Sequence, residues 1–478
     1  MTDATATAAA APTDAPAPRP ARAPRRGLHE LTFRLDEADV ARHGATEPDW
    51  LGADRRAAFE RYASLPVETN QLYTTYIDLR AADLAEVEPR RSRGTTAGTA
   101  GEALPDGTAG LAAIREDRVV TLRLDASLAD AGVILDTLDG LLARDPELAR
   151  RLLADESSLP LDDKLAQMTR AGWNQGVVVH VPAGVRADRP IVIQWQAGEA
   201  GRASLTRTIV DLGAGASASI VEELTPSLVA AEPADGGQSL FTGSLEIHLA
   251  EGAELRVASI QDLAASTIAF QHRQAEIGEG ASLQWALAQL GSRIVRSRVD
   301  NRLVGNRSTV EQVEIVFGSD DQIFDLTSYT RHIGRDTTGN LLSKAALLDA
   351  TRSYMKGLIV IEPTAVGTDS FLGEFGMNLS KQARAVAIPS LEIDQPDCRR
   401  AAHSSSVGPI DETQLFYLES RGIPPAEARK FIVLGFLEPV VARVPLESAR
   451  EQLRGLLEAK WDGAAVADAG EPSTAPAA

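Results

Sequence analysis

Few side chains in this sequence could do chemistry. Of 478 residues only one is a cysteine, Cys398, and seven are histidines. Cys398 and His403 stand five residues apart in DCRRAAHSSS, and every neighbour of His403 is small: Ala401, Ala402, Ser404, Ser405 and Ser406. Small flanks leave an imidazole accessible, and a neutral imidazole nitrogen is a good ligand for iron. The same flanks suit a plain exposed residue, and a lone cysteine is most often a packing residue. One thiolate and one imidazole cannot complete a cluster site that takes four ligands, so metal chemistry here would need donors from elsewhere. An internal disulfide framework and a four-thiolate site are excluded.

Other motifs fail in instructive ways. Gly334 and Gly339 in GRDTTGNL have the spacing of a phosphate loop, but Asn340 and Leu341 replace the lysine and the hydroxyl residue, so nucleotide hydrolysis is not supported. Gly213 and Gly215 in GAGASA precede an alternating run rather than a helix, which leaves a pyrophosphate no helix terminus to rest on. Asp320, Asp321 and Asp325 in GSDDQIFDL offer oxygen ligands for Ca²⁺, as in solenoid enzymes acting on polysaccharides; alternatively they form a turn and a strand whose Asp325 faces solvent. His180, His248, His272 and His332 are scattered. His248 shares an alternating face with Ser244 and Glu246 and reads as an exposed strand residue, and His332 is held in reserve. Neither G-x-S-x-G nor H-E-x-x-H occurs.

The elements that must position these residues change in character along the chain. Residues 1–26 form an Ala/Pro-rich lead and 465–478 a similar tail, both read as disordered. Residues 27–172 read as a mostly helical domain, with helices over Asp49–Tyr62, Leu135–Ala154 and Leu161–Ala171, strands at Thr74–Leu79 and Val119–Leu124, and a mobile loop near 88–110. Residues 173–405 are short alternating segments separated by glycine turns. In Leu240–Leu249, Phe241, Leu245, Ile247 and Leu249 point one way and Thr242, Ser244, Glu246 and His248 the other. A Gly-Ala pair precedes a new run at Gly215, Gly252 and Gly280, at irregular spacing. Sandwich, barrel and solenoid all fit the period; one recurring turn type and the lack of Asn-Gly hairpins lean towards a solenoid.

The last strand is read as ending at Leu391 and Ile393, with Cys398 and His403 in a polar loop beyond it. Helices return over 406–464. Asp411 caps Leu415, Phe416 and Leu418, Gly422 stops that helix, and Pro424 and Pro425 start the next. The stripe Leu446, Ala449, Leu453 and Leu457 reads as a cap over the end of a solenoid or as a docking surface. A formal charge of −19 disfavours nucleic acid. No apolar run reaches the roughly 20 residues that cross a bilayer, and the lead lacks a signal core, so a cytoplasmic protein is expected.

The run P-S-L-E-I at Pro389–Ile393, a histidine followed by small residues, and D-E-T-Q-L-F-Y-L-E-S-R-G-I at Asp411–Ile423 together resemble the C-terminal signature of the SufB/SufD family of iron–sulfur cluster assembly proteins. The likeness extends more loosely from Glu47 to Trp461. It implies a right-handed parallel β-helix flanked by helical regions. It also implies a non-ATPase subunit, binding no nucleotide itself, that shares a transient iron–sulfur cluster with a SufB-like scaffold and docks a SufC-like ATPase on the C-terminal helices. His403 then becomes a candidate ligand of the nascent cluster, Cys398 a minor one, and Glu412, Leu415, Phe416, Tyr417, Phe431 and Phe436 the docking residues. Ser404 stands where SufB-type proteins carry a glutamate, and Gly373–Ser380 lacks their thiol, so the chain resembles the SufD type. It departs from many SufD proteins in having Ala401, not cysteine, two residues before the histidine. Homodimerisation without the partner, and flavin in the complex, are left open.

Overall fold

A computed structural model describes residues 27–44, 47–67, 77–90, 104–155, 158–227 and 237–469. The expected lead, most of the expected mobile loop and residues 74–76 lie outside these. The chain is mainly β, a solenoid of about eight turns with helices at both termini. Each turn contributes one strand to each of two parallel stacks. One stack, face A, runs from Gln175–Val181 to Arg384–Ile393; the other, face B, runs from Ile191–Ala197 to Arg400–Gly408. Strands pair in register: Ile294–Leu303 with Ile323–His332, and that strand with Arg352–Ile361, without a slip.

Strict register stacks like upon like, and it explains the Gly-Ala recurrence. Gly215, Gly252 and Gly280 occupy one corner of successive coils with φ of 65°, 65° and 64°, a conformation that costs glycine nothing. Each donates its N–H to the next coil, at 2.8 Å. The following alanines, Ala216, Ala253 and Ala281, are fully buried. Further on, Arg307, Asp336 and Gly367 take the same corner with positive φ. The geometry therefore continues after the glycine signal lapses, which is why the repeat looks degenerate.

Alternate strand positions fill the lumen. Phe241, Leu245, Ile247 and Leu249 belong to one apolar cluster with Val310, Val316, Phe324 and Leu347. The opposite positions are not solvated as expected. On face A, Ser244 and Glu246 are buried beneath N-terminal helices, and Glu246 pairs with Arg207 at 2.7 Å, both fully enclosed. The helix Lys164–Gly172, capped by Asp163, lies there, and Arg296 and Arg298 reach Asp163 at 2.6 and 3.1 Å. Burial alone would raise that carboxyl, but the two guanidiniums outweigh it and hold it well below the usual range.

Three N-terminal readings are corrected. The segment 135–154 is not one helix: Ile134–Thr137 is a strand antiparallel to Gln175–Val181, followed by helices Leu138–Arg144 and Pro146–Leu153. Thr137 and Asp145 cap those helices, so two breaks interrupt what looked like one apolar stripe. Gly110–Arg115 and Arg118–Leu124 also join face B. Ile77–Leu79 is not a strand.

At the far end, helices Pro425–Val441 and Glu447–Ala469 do not cap the solenoid. Val433, Leu437, Leu453 and Leu457 pack on outward residues of face B, among them Val313, Ile315 and Phe317. The stripe fits a flat sheet wall better than a coil end, because the wall offers a row of matching apolar side chains. The N-terminal end is closed by the antiparallel strands. At the other end, Arg384–Ile393 and Arg400–Gly408 are each paired on one side only among the described residues.

Candidate functional site

His403 does not sit in a loop. It lies within Arg400–Gly408, the last strand of face B, in register with Asp369–Asn378. Nothing in RAAHSSSVG reads as apolar alternation, because a terminal coil buries only one edge; the ladder to the preceding strand makes it a strand. Paired residues put their side chains on the same face. His403 pairs with Leu372, which is fully buried, so the imidazole looks across the mouth of the lumen while remaining exposed. Cys398 precedes this strand and is half-buried against Leu341, Ile359, Ile361, Ala365 and Leu372. Leu372 is thus a neighbour of both candidate ligands.

The remaining histidines serve the fold. Both ring nitrogens of His332 are occupied, Nδ1 by Thr337 at 2.8 Å and Nε2 by Ser370 at 3.0 Å, and burial pushes the ring down to about 4. His180 meets Asp211 at 2.6 Å. His272 is buried and, despite Asp163 nearby, is pushed down to about 3 by burial. His248 is half-buried.

The three aspartates do not face one ion. Asp325 is fully buried and paired with Lys356 at 2.8 Å, not solvent-facing as expected, while Asp321 pairs with Arg293 at the surface. Among the described residues no group of three or more His, Cys, Asp or Glu is placed to hold a metal. Gly334 and Gly213 lie in solenoid corners, each against backbone of the neighbouring coil.

A second surface opens on the C-terminal helices. Helix Glu412–Ser420 is capped by Asp411, which accepts from Thr413 N at 2.8 Å, and buries none of its residues. Phe416 is 71% exposed, Tyr417 56% and Phe431 62%, forming an unpartnered aromatic patch beside Glu412 and half-buried Leu415. Phe436 is turned inward, with Lys344 Nζ 4.6 Å from its ring centre. Gly422, at φ 87°, ends the first helix, and Pro425 begins the second.

One feature escaped the sequence reading: polar groups buried in the lumen. Glu222, Ser259, Arg273 and Gln271 form one hydrogen-bonded set, and Gln289, Glu314 and Ser297 continue it. Glu374 is buried nearer the open end. Their signal was available, since each sits at an inward position of an alternating strand.

A solenoid that presents one imidazole on an open last coil is built as a scaffold, and comparison with known proteins says for what process. The family model described as SUF system FeS cluster assembly, SufBD core domain, matches residues 194–436. The chain belongs to the SufBD family of iron–sulfur cluster assembly proteins. It is 28% identical over 356 residues to a protein of Staphylococcus epidermidis named iron-sulfur cluster assembly SufBD family protein, covering 74% of each chain. Relatives of the same description in Staphylococcus saprophyticus and Staphylococcus haemolyticus are 26% and 27% identical over the same share.

Proposed function

We propose that this chain is a SufD-like, non-ATPase subunit of a cytoplasmic iron–sulfur assembly complex. It pairs with a SufB-like scaffold, docks a SufC-like ATPase, and contributes His403 as one ligand of a cluster built between subunits. The carrying observation is the last coil: strand edges left unpaired within the described residues, with an exposed imidazole on the same strand. Such edges can be completed by strands of another chain, which would bring further donors beside His403. The aromatic patch of Phe416, Tyr417 and Phe431 is the surface assigned to the ATPase, since large exposed apolar groups mark docking sites. Cys398 is assigned at most a minor part, because its thiol is packed in an apolar cluster.

The test is His403→Ala in the reconstituted complex under anaerobic conditions. The variant is expected to fold and assemble normally, because the ring is exposed, and to lose most of the cluster absorbance that the parent complex develops. Cluster yield equal to that of the parent would remove His403 from the site.

A further inference from the structure

One buried group near the open end has no role in the fold's ordinary accounting. Glu374 lies in the penultimate strand of face B, points inward and is 1% exposed. Its Oε2 has no hydrogen-bond partner among the described residues. The carboxyl crosses the lumen to face A. There a Cβ on Gly357 would come within 2.8 Å of Oε1, and the backbone N–H of Ile388, on the last coil, donates to the group. The lysine nearest in sequence register on face A, Lys356, is paired with Asp325. A carboxyl left without a cation in an apolar lumen is costly and calls for a reason.

Its position supplies one. In the ladder Glu374 is opposite Ser405, and His403 is two residues away on the same strand and the same face. Diagonal neighbours of this kind lie about 7–8 Å apart, within reach of two long side chains. We propose that Glu374 and His403 together form a ferrous-iron site at the mouth of the solenoid, the carboxylate as its floor and the imidazole as its rim. This rests on the reading that His403 faces iron, and adds a second donor that the chain itself supplies. Oxygen and imidazole nitrogen suit Fe²⁺, and two protein ligands leave positions open for sulfide and for donors from another chain. Binding exchanges the carboxyl proton for the cation, the proton leaving to solvent, with no change of oxidation state. Burial pushes the empty carboxyl up to about 8, so it waits uncharged.

A purely structural role is separable, because glutamine keeps the shape and the acceptor for Ile388 but is a poor metal ligand. The full-length chain is titrated anaerobically with Fe²⁺ by calorimetry, and with Co²⁺ by its visible ligand-field bands. Glu374→Gln and His403→Ala are each expected to weaken Fe²⁺ at least tenfold, the double variant to add little, and Glu374→Gln to keep the parent melting temperature. Parental Fe²⁺ affinity and Co²⁺ bands in Glu374→Gln would overturn the site, as would a lowered melting temperature with unchanged metal binding. The two readings fail separately. If cluster yield survives His403→Ala while Fe²⁺ binding is lost, the assembly role falls and the iron site stands; if only Glu374→Gln is silent, the reverse holds.

Discussion

His332 and His403 carry the same ring and meet opposite fates. His332 is enclosed at a solenoid corner, with hydroxyls on both nitrogens, and titrates near 4 because burial disfavours the cation. Its folded value lies below the ordinary 6.5, so between the two the unfolded chain takes up a proton that the folded chain refuses. Stability from this residue is therefore complete above pH 6.5 and is lost as pH falls towards 4. At about 1.4 kcal/mol per pH unit the loss approaches 3 kcal/mol. Urea melts at pH 7, 5.5 and 4.5 should show the decline, and His332→Gln should flatten it; an unchanged slope would place the acid sensitivity elsewhere. The sequence shows small residues around His403 and so its accessibility. It does not show the strand beneath, because that strand exists through pairing and not through its own pattern.

Local signals made some elements legible and tertiary contacts decided others. Asp411, Gly422 and Pro425 mark helix ends in sequence because capping and positive φ are properties of single residues. The segment from Leu135 was misread since its apolar residues satisfy both periods, and only the antiparallel partner Gln175–Val181 selects a strand. The stripe through Leu453 and Leu457 was visible, but not the wall it covers. Helix Glu412–Ser420 is the converse: well capped, yet burying nothing, although a helix of nine residues is marginal by itself. Replacing Phe416 and Phe431 with glutamate should leave the melting temperature within about a degree, since neither ring is buried. The same change should abolish co-purification of the ATPase. By contrast Leu437→Glu, at a fully buried position against face B, should destabilise the C-terminal helices by several kcal/mol, in the manner of an unpaired buried charge. Retained capture of the ATPase by the double glutamate variant would move the docking surface elsewhere.

A solenoid stabilises each coil through its neighbours, so a coil with one neighbour is the weakest. Antiparallel strands close the N-terminal end, and helices cover both walls. The last coil has only the coil below it, and its strands expose most of their residues, with Ile393 and Val407 among the exposed apolar side chains. Unpaired edges of this kind invite another chain, which in an unmanaged protein means aggregation. Here they coincide with the imidazole and lie one coil above Glu374, so assembly and ligand placement depend on the same strands. Amide exchange should reveal this gradient. Amides of 384–408 should exchange fastest among the solenoid strands, and those of 282–318 slowest, in line with local opening of the least supported coil. Adding a SufB-like partner should slow exchange at 384–408 and leave the middle coils unchanged. Slowing confined to the helices on face B would instead put the partner on the wall and leave the open end, with its imidazole, outside the interface.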